Sequence, residues 1–289
     1  MELRQKLEAG EFAVLAEMEP PKGTDVDTMR SSARRVKGKV DAFIVPEMSS
    51  AVMRMSSLGG ALVLRDEGLE CMIQVCCRDR NRLAIQGDLL AAWALGIRSV
   101  MAVTGEDPSV GDHHQARAVN DIDLLELLQA IDGLKNSRDM AGIELSGGTD
   151  FLAGTTAGFG ARGKSPELEV EEMMRRAAAG ARFFVTPPLF DLEIIRPFMR
   201  RIEGSPVMVL PTVLLLKSLG MARYIARNMP HIHIPDPLID RIQKAPDKVR
   251  ECVRIASETV ARLRDEGFGG VVISTIGWEH KLPDVLEGV

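Results

Sequence analysis

Short unbroken apolar runs of strand length recur along this chain, each followed by a stretch with helical periodicity. Runs such as Ser99–Val103 and Val40–Val45 lack polar alternation, the pattern of parallel strands buried on both faces. Strands are expected at Phe12–Ala16, Val40–Val45, Glu70–Cys77, Ser99–Val103, Arg182–Thr186, Pro206–Leu210 and Gly270–Ser274. Either Ile143–Leu145 or Phe151–Thr156 supplies the fifth of the series. Prolines are expected to stop two of them, Pro187-Pro188 after the sixth and Pro211-Thr212 after the seventh.

The helical stretches begin with a short amphipathic segment over residues 2–8, ended by Gly10. Next come Thr24–Lys37, capped by Thr24 or Asp25, then Ala51–Arg65, Leu83–Leu95 and Ile122–Asp132. Further on are Glu167–Ala179, Leu192–Ile202 with a kink at Pro197, Ser218–Arg227, Pro235–Gln243 and Asp247–Glu266. A long polar loop, Ser109–Asn120, follows the fourth strand, and loops of this length in compact domains usually serve function. Eight strands alternating with helices is the count of an α/β fold, the (β/α)8 TIM barrel. No linker or low-complexity segment divides the chain, so residues 1–289 are expected to form one barrel domain with a short N-terminal helix.

An apolar fraction of 45% and a charged fraction of 27% describe an ordinary soluble globule. The net charge of −5 gives no basic field for nucleic acid, and Arg34-Arg35 and Arg175-Arg176 read as solvated helix faces. The opening MELRQKLEAGEF lacks the apolar core of a signal peptide, and no apolar run reaches membrane-spanning length. A cytoplasmic location is therefore expected. Cys71, Cys76, Cys77 and Cys252 fit no zinc spacing, and the Cys76-Cys77 pair reads as core. His231 and His233 lack further ligands nearby, so no metal site is expected. Neither a GxGxxG turn nor a GxxxxGK[ST] loop is present, which argues against dinucleotide and P-loop folds.

In a barrel the chemistry sits just past the C-terminal ends of the strands. That rule selects Glu17 and Glu19, Glu47, Arg78 and Asp79, Glu106 and Asp107, Thr186, Thr212 with Lys217, and Ser274. Glu17 and Glu106 come from separate strand ends and can meet over one pocket. Close carboxylates raise each other's pKa, which keeps one protonated as a general acid. The alternative is that each is a surface acid favoured by a helix dipole. Lys217 lies beyond its strand and reads as a solvated loop lysine rather than a Schiff-base former.

Several blocks, in one order over nearly the whole length, resemble the methylenetetrahydrofolate reductases, especially the shorter type of anaerobic one-carbon pathways. These are AEMEPPKG at 16–23, MRMSSL at 53–58, CRDRNRLAIQGDLLAAWALGI at 77–97 and TGEDP…GDHHQA at 104–116. GAR-FF at 180–184, LKSLGMARYI at 216–225 and IPDPLIDRI at 234–242 continue the series. The resemblance implies a flavin-binding barrel, carrying FAD or FMN, that reduces methylenetetrahydrofolate to the methyl form. In that reaction the flavin N5 passes a hydride to an iminium carbon. It also implies a place in one-carbon metabolism and methionine biosynthesis, an electron-transfer partner protein, and a homo-oligomer or hetero-complex.

By the same resemblance the acid that opens the imidazolidine ring falls on Glu17, and an aspartate near flavin and pterin falls on Glu106, one methylene longer. A basic flavin-phosphate contact falls on Arg176, and the histidine at the end of the third strand becomes Gln74. The candidates are therefore Glu17 and Glu106 for catalysis, and Gln74, Arg78, Gly105, Glu106, Gly154 and Arg176 for the cofactor. Glu17, Thr186 and Thr212 are the candidates for substrate. Other positions depart from the family: a folate-holding glutamine is Pro187, a threonine beside the flavin is Pro46, and a histidine in the last strand is Val272. The flavin-lining segment around the fifth strand is replaced by GTTAGFG, 154–160. Those departures keep two other readings open: a redox-inactive paralogue that binds a pterin or a partner protein, and a flavin-free methyl-transfer component.

Overall fold

The computed structural model describes residues 2–159 and 165–287; Gly160, the last residue of GTTAGFG, lies outside them. Eight parallel strands close into a barrel in sequence order: β1 (Ala13–Glu17), β2 (Ala42–Val45), β3 (Cys71–Cys76), β4 (Ser99–Val103), β5 (Leu152–Thr156), β6 (Phe183–Pro188), β7 (Met208–Leu214) and β8 (Gly270–Ser274). The connecting helices are α2 (Asp27–Arg35), α3 (Ser57–Asp66), α4 (Arg82–Ala94), α5 (Leu124–Lys135), α6 (Pro166–Ala178) and α7 (Arg196–Arg201). After β7 come α8 (Leu219–Asn228), α9 (Asp236–Lys244) and α10 (Lys248–Asp265), and α11 (Leu282–Leu286) follows β8. The fold is a (β/α)8 TIM barrel.

The unbroken apolar runs have the physical cause expected of them. Alternate residues of each strand face either the helices or the barrel interior, and both sides are dry. Phe43, Phe184, Ile85 and Leu89 belong to the layer under the helices. Leu15, Ile44, Met72, Phe183, Leu210 and Val272 fill the interior. The N-terminal end of that interior is closed by α1 (Leu3–Glu8), whose Leu3 and Leu7 join the inner cluster. Lys6 pairs with Asp41 at 2.7 Å, Arg4 with Asp150 at 2.7 Å, and the Leu3 N–H donates to Glu70 at 2.9 Å.

Three local expectations are corrected, and of the two candidates for the fifth strand the second is realised. The fifth strand is Leu152–Thr156, while Ile143–Leu145 holds only an isolated bridge between Arg138 and Glu144. β6 and β7 do not stop at their prolines but run through Pro187-Pro188 and Pro211, with a register shift between Val185 and Pro188. The expected helix from Ala51 begins only at Ser57, where the Ser56 hydroxyl accepts from the Gly59 N–H at 3.2 Å. Before it, Met48, Ser50 and Ala51 take φ of 47°, 54° and 54°, left-handed backbone that no helix contains. Pro197 splits rather than kinks its segment, leaving a single turn at Leu192–Ile194 and then α7 with the proline in its first turn. A smaller difference concerns α2, which starts at Asp27 behind Val26, with the Asp25 side chain accepting from the Asp27 N–H at 3.0 Å.

Candidate active site

The C-terminal ends of the strands open on a cavity of about 720 Å³, within the range usual for small-molecule sites. Glu17, Gln74, Thr156, Thr212 and Ser274 bring polar groups to it from five strands. Met101, Val103, Val185 and Leu214 make its apolar inner wall, and Met221, Tyr224 and Ile225 of α8 face it from the rim. A cavity of about 430 Å³ at the opposite face, lined by Arg65, Glu70 and Arg98, gathers none of the strand-end groups.

Glu17 ends β1 beside Ser274, which ends β8; the two strands pair through Ala16 and Ile273 just below. Its carboxyl sits deep among protein atoms, and burial raises its pKa above the usual 4.5. A hydrogen bond with Ser274 acts in the other direction, and the charges of Glu19 and Glu279 add to the rise. The group thus holds its proton to a higher pH than an exposed glutamate does.

Glu106 also lines the cavity, but its side chain is 58% exposed and stands 3.8 Å from Arg78 Nη1. The expectation that Glu17 and Glu106 raise each other is corrected: the raising causes at Glu17 are burial, Glu19 and Glu279. Gly105 takes φ +86°, and a Cβ there would lie 2.4 Å from the Cys76 sulfur. Only glycine makes the turn that delivers Glu106.

Three expected cofactor contacts have other employment. Arg78 is 3% exposed and bonds Asp79 bidentately at 2.6 and 2.8 Å. Its remaining donors reach the Glu106 carbonyl at 3.1 Å and the Met48 carbonyl at 3.4 Å. Arg78 therefore fastens the loops after β2, β3 and β4 and does not line the cavity. Arg176 stands behind the end of β5, donating to the Thr156 carbonyl at 2.8 Å, with Glu172 3.5 Å away. Gly154 faces the interior, where a Cβ would fall 2.2 Å from the ring of Phe183; it is a packing glycine.

Thr186 and Thr212 line the cavity, yet their hydroxyls serve the β6–β7 seam. Thr186 Oγ1 accepts from the Thr212 N–H at 3.1 Å and donates to the Pro187 carbonyl at 2.7 Å. Thr212 Oγ1 donates to the Thr186 carbonyl at 2.7 Å. These hydroxyls hold the seam where Pro187, Pro188 and Pro211 have no N–H to give. Lys217 donates to the Ile276 carbonyl, and its ammonium lies 5.5 Å from the Trp278 ring centre.

The Cys76 thiol is pushed up by burial to about 11, and those of Cys71 and Cys77 to about 12, leaving them unreactive. Among the described residues no group of His, Cys, Asp and Glu is arranged for a metal, and no helix is long and apolar enough to cross a membrane. Sequence reasoning missed Thr156, Met101 and the α8 wall. The spacing of Met221, Tyr224 and Ile225, which puts them on one helix face, was the available signal; Ile225 is buried while Tyr224 is 62% accessible.

A methylenetetrahydrofolate reductase family model matches residues 2–289. A Caenorhabditis elegans protein described as a probable methylenetetrahydrofolate reductase (NADPH) is 24% identical over 238 residues, 77% of this chain. The match spans 32% of that relative's length. Among solved structures, an EDTA monooxygenase of Chelativorans sp. BNC1 superposes with a TM-score of 0.60 at 12% identity, covering 96% of this chain and 92% of its own. A 2,3-dimethylmalate lyase of the PEP mutase/isocitrate lyase superfamily gives 0.55 at 9% identity, covering 99% and 82%. Identities this low speak for the barrel alone, whereas the family match covers nearly every residue. The chain belongs to the methylenetetrahydrofolate reductase family.

Proposed function

We propose that this chain reduces 5,10-methylenetetrahydrofolate, or a related one-carbon carrier, to the 5-methyl form with a bound flavin, FAD or FMN. The observation that carries the reading is Glu17, a carboxyl whose pKa is raised by burial and which lines an open pocket at the strand ends. A flat heteroaromatic ring fits the residues present. The Met101 and Val103 wall offers it an apolar face, and Gln74 Nε2, which meets the Met101 sulfur at 4.0 Å, is a donor with capacity to spare. Gln74, Thr104 and Gly105 would hold such a ring, and the flavin when bound supplies the hydride.

The chain's own residues supply the proton. Glu17 donates to the imidazolidine nitrogen that leaves the bridging carbon; the C–N bond breaks and an iminium carbon is left on the carrier. The Glu17 carboxylate so formed accepts from Ser274, the interaction that already favours its charged form. Glu106 offers an acceptor at the rim for N–H groups of the substrate. We place an electron-transfer protein as partner and a cytoplasmic setting in the same reading.

Purified protein mixed with FAD or FMN should hold one of them. The bound flavin should bleach with a chemical reductant and recolour with methylenetetrahydrofolate. A protein that binds folate but neither flavin would instead favour a pterin-binding paralogue without redox chemistry. Pro46 and Pro187 favour that second reading, since neither carries a side-chain hydrogen-bonding group or an N–H.

A further inference from the structure

The ends of β2 and β3 are joined by a polar network of which the reading above uses Gln74 alone. The Ser57 hydroxyl donates to the Val45 carbonyl at 2.6 Å and accepts from the Gln74 N–H at 3.0 Å, so it stands between the two strands where a ladder bond would be. Glu47, whose side chain is 1% exposed, accepts from the Ser57 N–H at 2.8 Å and from Arg80 Nη2 at 2.8 Å. Arg80 also reaches Asp88 at 3.2 Å. One serine thereby fixes the main chain of Gln74 and the side chain of Glu47. The Glu47 N–H then meets the Gln74 side-chain oxygen at 3.3 Å.

That last contact decides which way the amide points. A main-chain N–H can only donate, so the atom facing it must be the oxygen; a flipped amide would set two donors against each other. The NH2 group is left on the cavity side, beside the Met101 sulfur at 4.0 Å, a weak acceptor. An unrestrained glutamine can turn either group to the cavity, whereas this one turns its donor.

We propose that Gln74 is a specificity-determining residue of the pocket, its NH2 group a donor of fixed direction held by the Glu47 main chain, which selects a ligand presenting an acceptor there. The inference rests on the flavin reading, since the pyrimidine edge of a flavin alternates carbonyl and ring-nitrogen acceptors with a single N–H. The fixed donor thus admits some registers of the ring and rejects the one that would bring donor against donor.

The test uses the whole chain and flavin fluorescence quenching with FAD and with FMN. Gln74→Glu keeps an oxygen for the Glu47 N–H and replaces the donor by a second acceptor. Its flavin affinity should fall about tenfold or more near neutral pH. Relative to wild type it should recover as the pH is lowered, because the introduced carboxyl regains a proton to donate. Gln74→Met, of similar length and without either function, should lose affinity to a comparable extent and show no recovery. Circular dichroism identifies any variant that has failed to fold, and the other then carries the comparison. Wild-type protein that binds flavin, with both variants binding equally well or Gln74→Glu unresponsive to pH, overturns this inference alone. Wild-type protein that binds neither flavin overturns it together with the reading beneath it.

Discussion

Gly154→Ala separates a packing glycine from a cofactor-lining one. The added methyl would sit 2.2 Å from two carbons of the Phe183 ring and 2.4 Å from a third. Ordinary carbon contacts lie at about 3.5–4.0 Å, so ring or backbone must yield by more than an ångström. Phe183 is 0% exposed and pairs directly with Gly154 across the β5–β6 seam, so it has nowhere free to go. Overpacking of this kind costs about 1–3 kcal/mol, partly offset by the 0.5–1 kcal/mol or so that alanine gains over glycine within a strand. The net expectation is a loss of about 1–2 kcal/mol in urea unfolding, and Phe183→Leu in the same chain should recover part of it. Flavin titration in parallel should show little change in affinity. A variant as stable as wild type with weakened flavin binding would refute the reasoning and return Gly154 to the cofactor site.

Three further outcomes are expected. Thr186→Val leaves the Thr212 N–H without its acceptor inside the β6–β7 seam and should cost about 1–3 kcal/mol of stability, read by denaturant unfolding. Leu7→Ala, at a plug residue 4% exposed, should cost about 2–5 kcal/mol and lower the melting temperature without altering the pocket. Glu17 has a folded-state pKa above 4.5, so the folded chain binds more protons than the unfolded chain between that pH and its raised value. Its contribution to stability is present below that window and lost as the pH rises through it. Glu17→Gln, which cannot titrate, should therefore gain stability relative to wild type as the pH is raised from 4.5, measured by unfolding across that rise; a constant difference would contradict the raised carboxyl pKa.

The barrel was legible because its strands are buried on both faces, and burial of that kind writes continuous apolar runs such as Ser99–Val103. It was least legible where side chains took over main-chain duties. Pro187, Pro188 and Pro211 signal the end of a strand by every local rule; the crossing hydroxyls of Thr186 and Thr212, with the Leu189 N–H on the Thr212 carbonyl at 2.8 Å, keep β6 and β7 paired past them. The hydroxyl bonds join residues 26 apart in the chain and leave no periodic trace. The strand-end rule finds Glu17, Glu106 and Ser274 on the polar side of the site, since position along a strand determines which residues rim a barrel, and the family resemblance adds Gln74. It could not distinguish a charge aimed into the cavity from one already engaged. Arg78, selected by position, is held by Asp79, and Arg176, selected by resemblance, is held by the Thr156 carbonyl.

Glu17 as the proton donor is tested most directly by rapid mixing. Flavin-loaded wild type and Glu17→Gln would each be reduced chemically without oxygen, then mixed with methylenetetrahydrofolate while flavin reoxidation is followed. The account predicts that both flavins are reduced alike and that reoxidation by the folate is slower in Glu17→Gln by about 10²–10⁴-fold. Reoxidation of Glu17→Gln at the wild-type rate, with methyltetrahydrofolate formed in both, would contradict it.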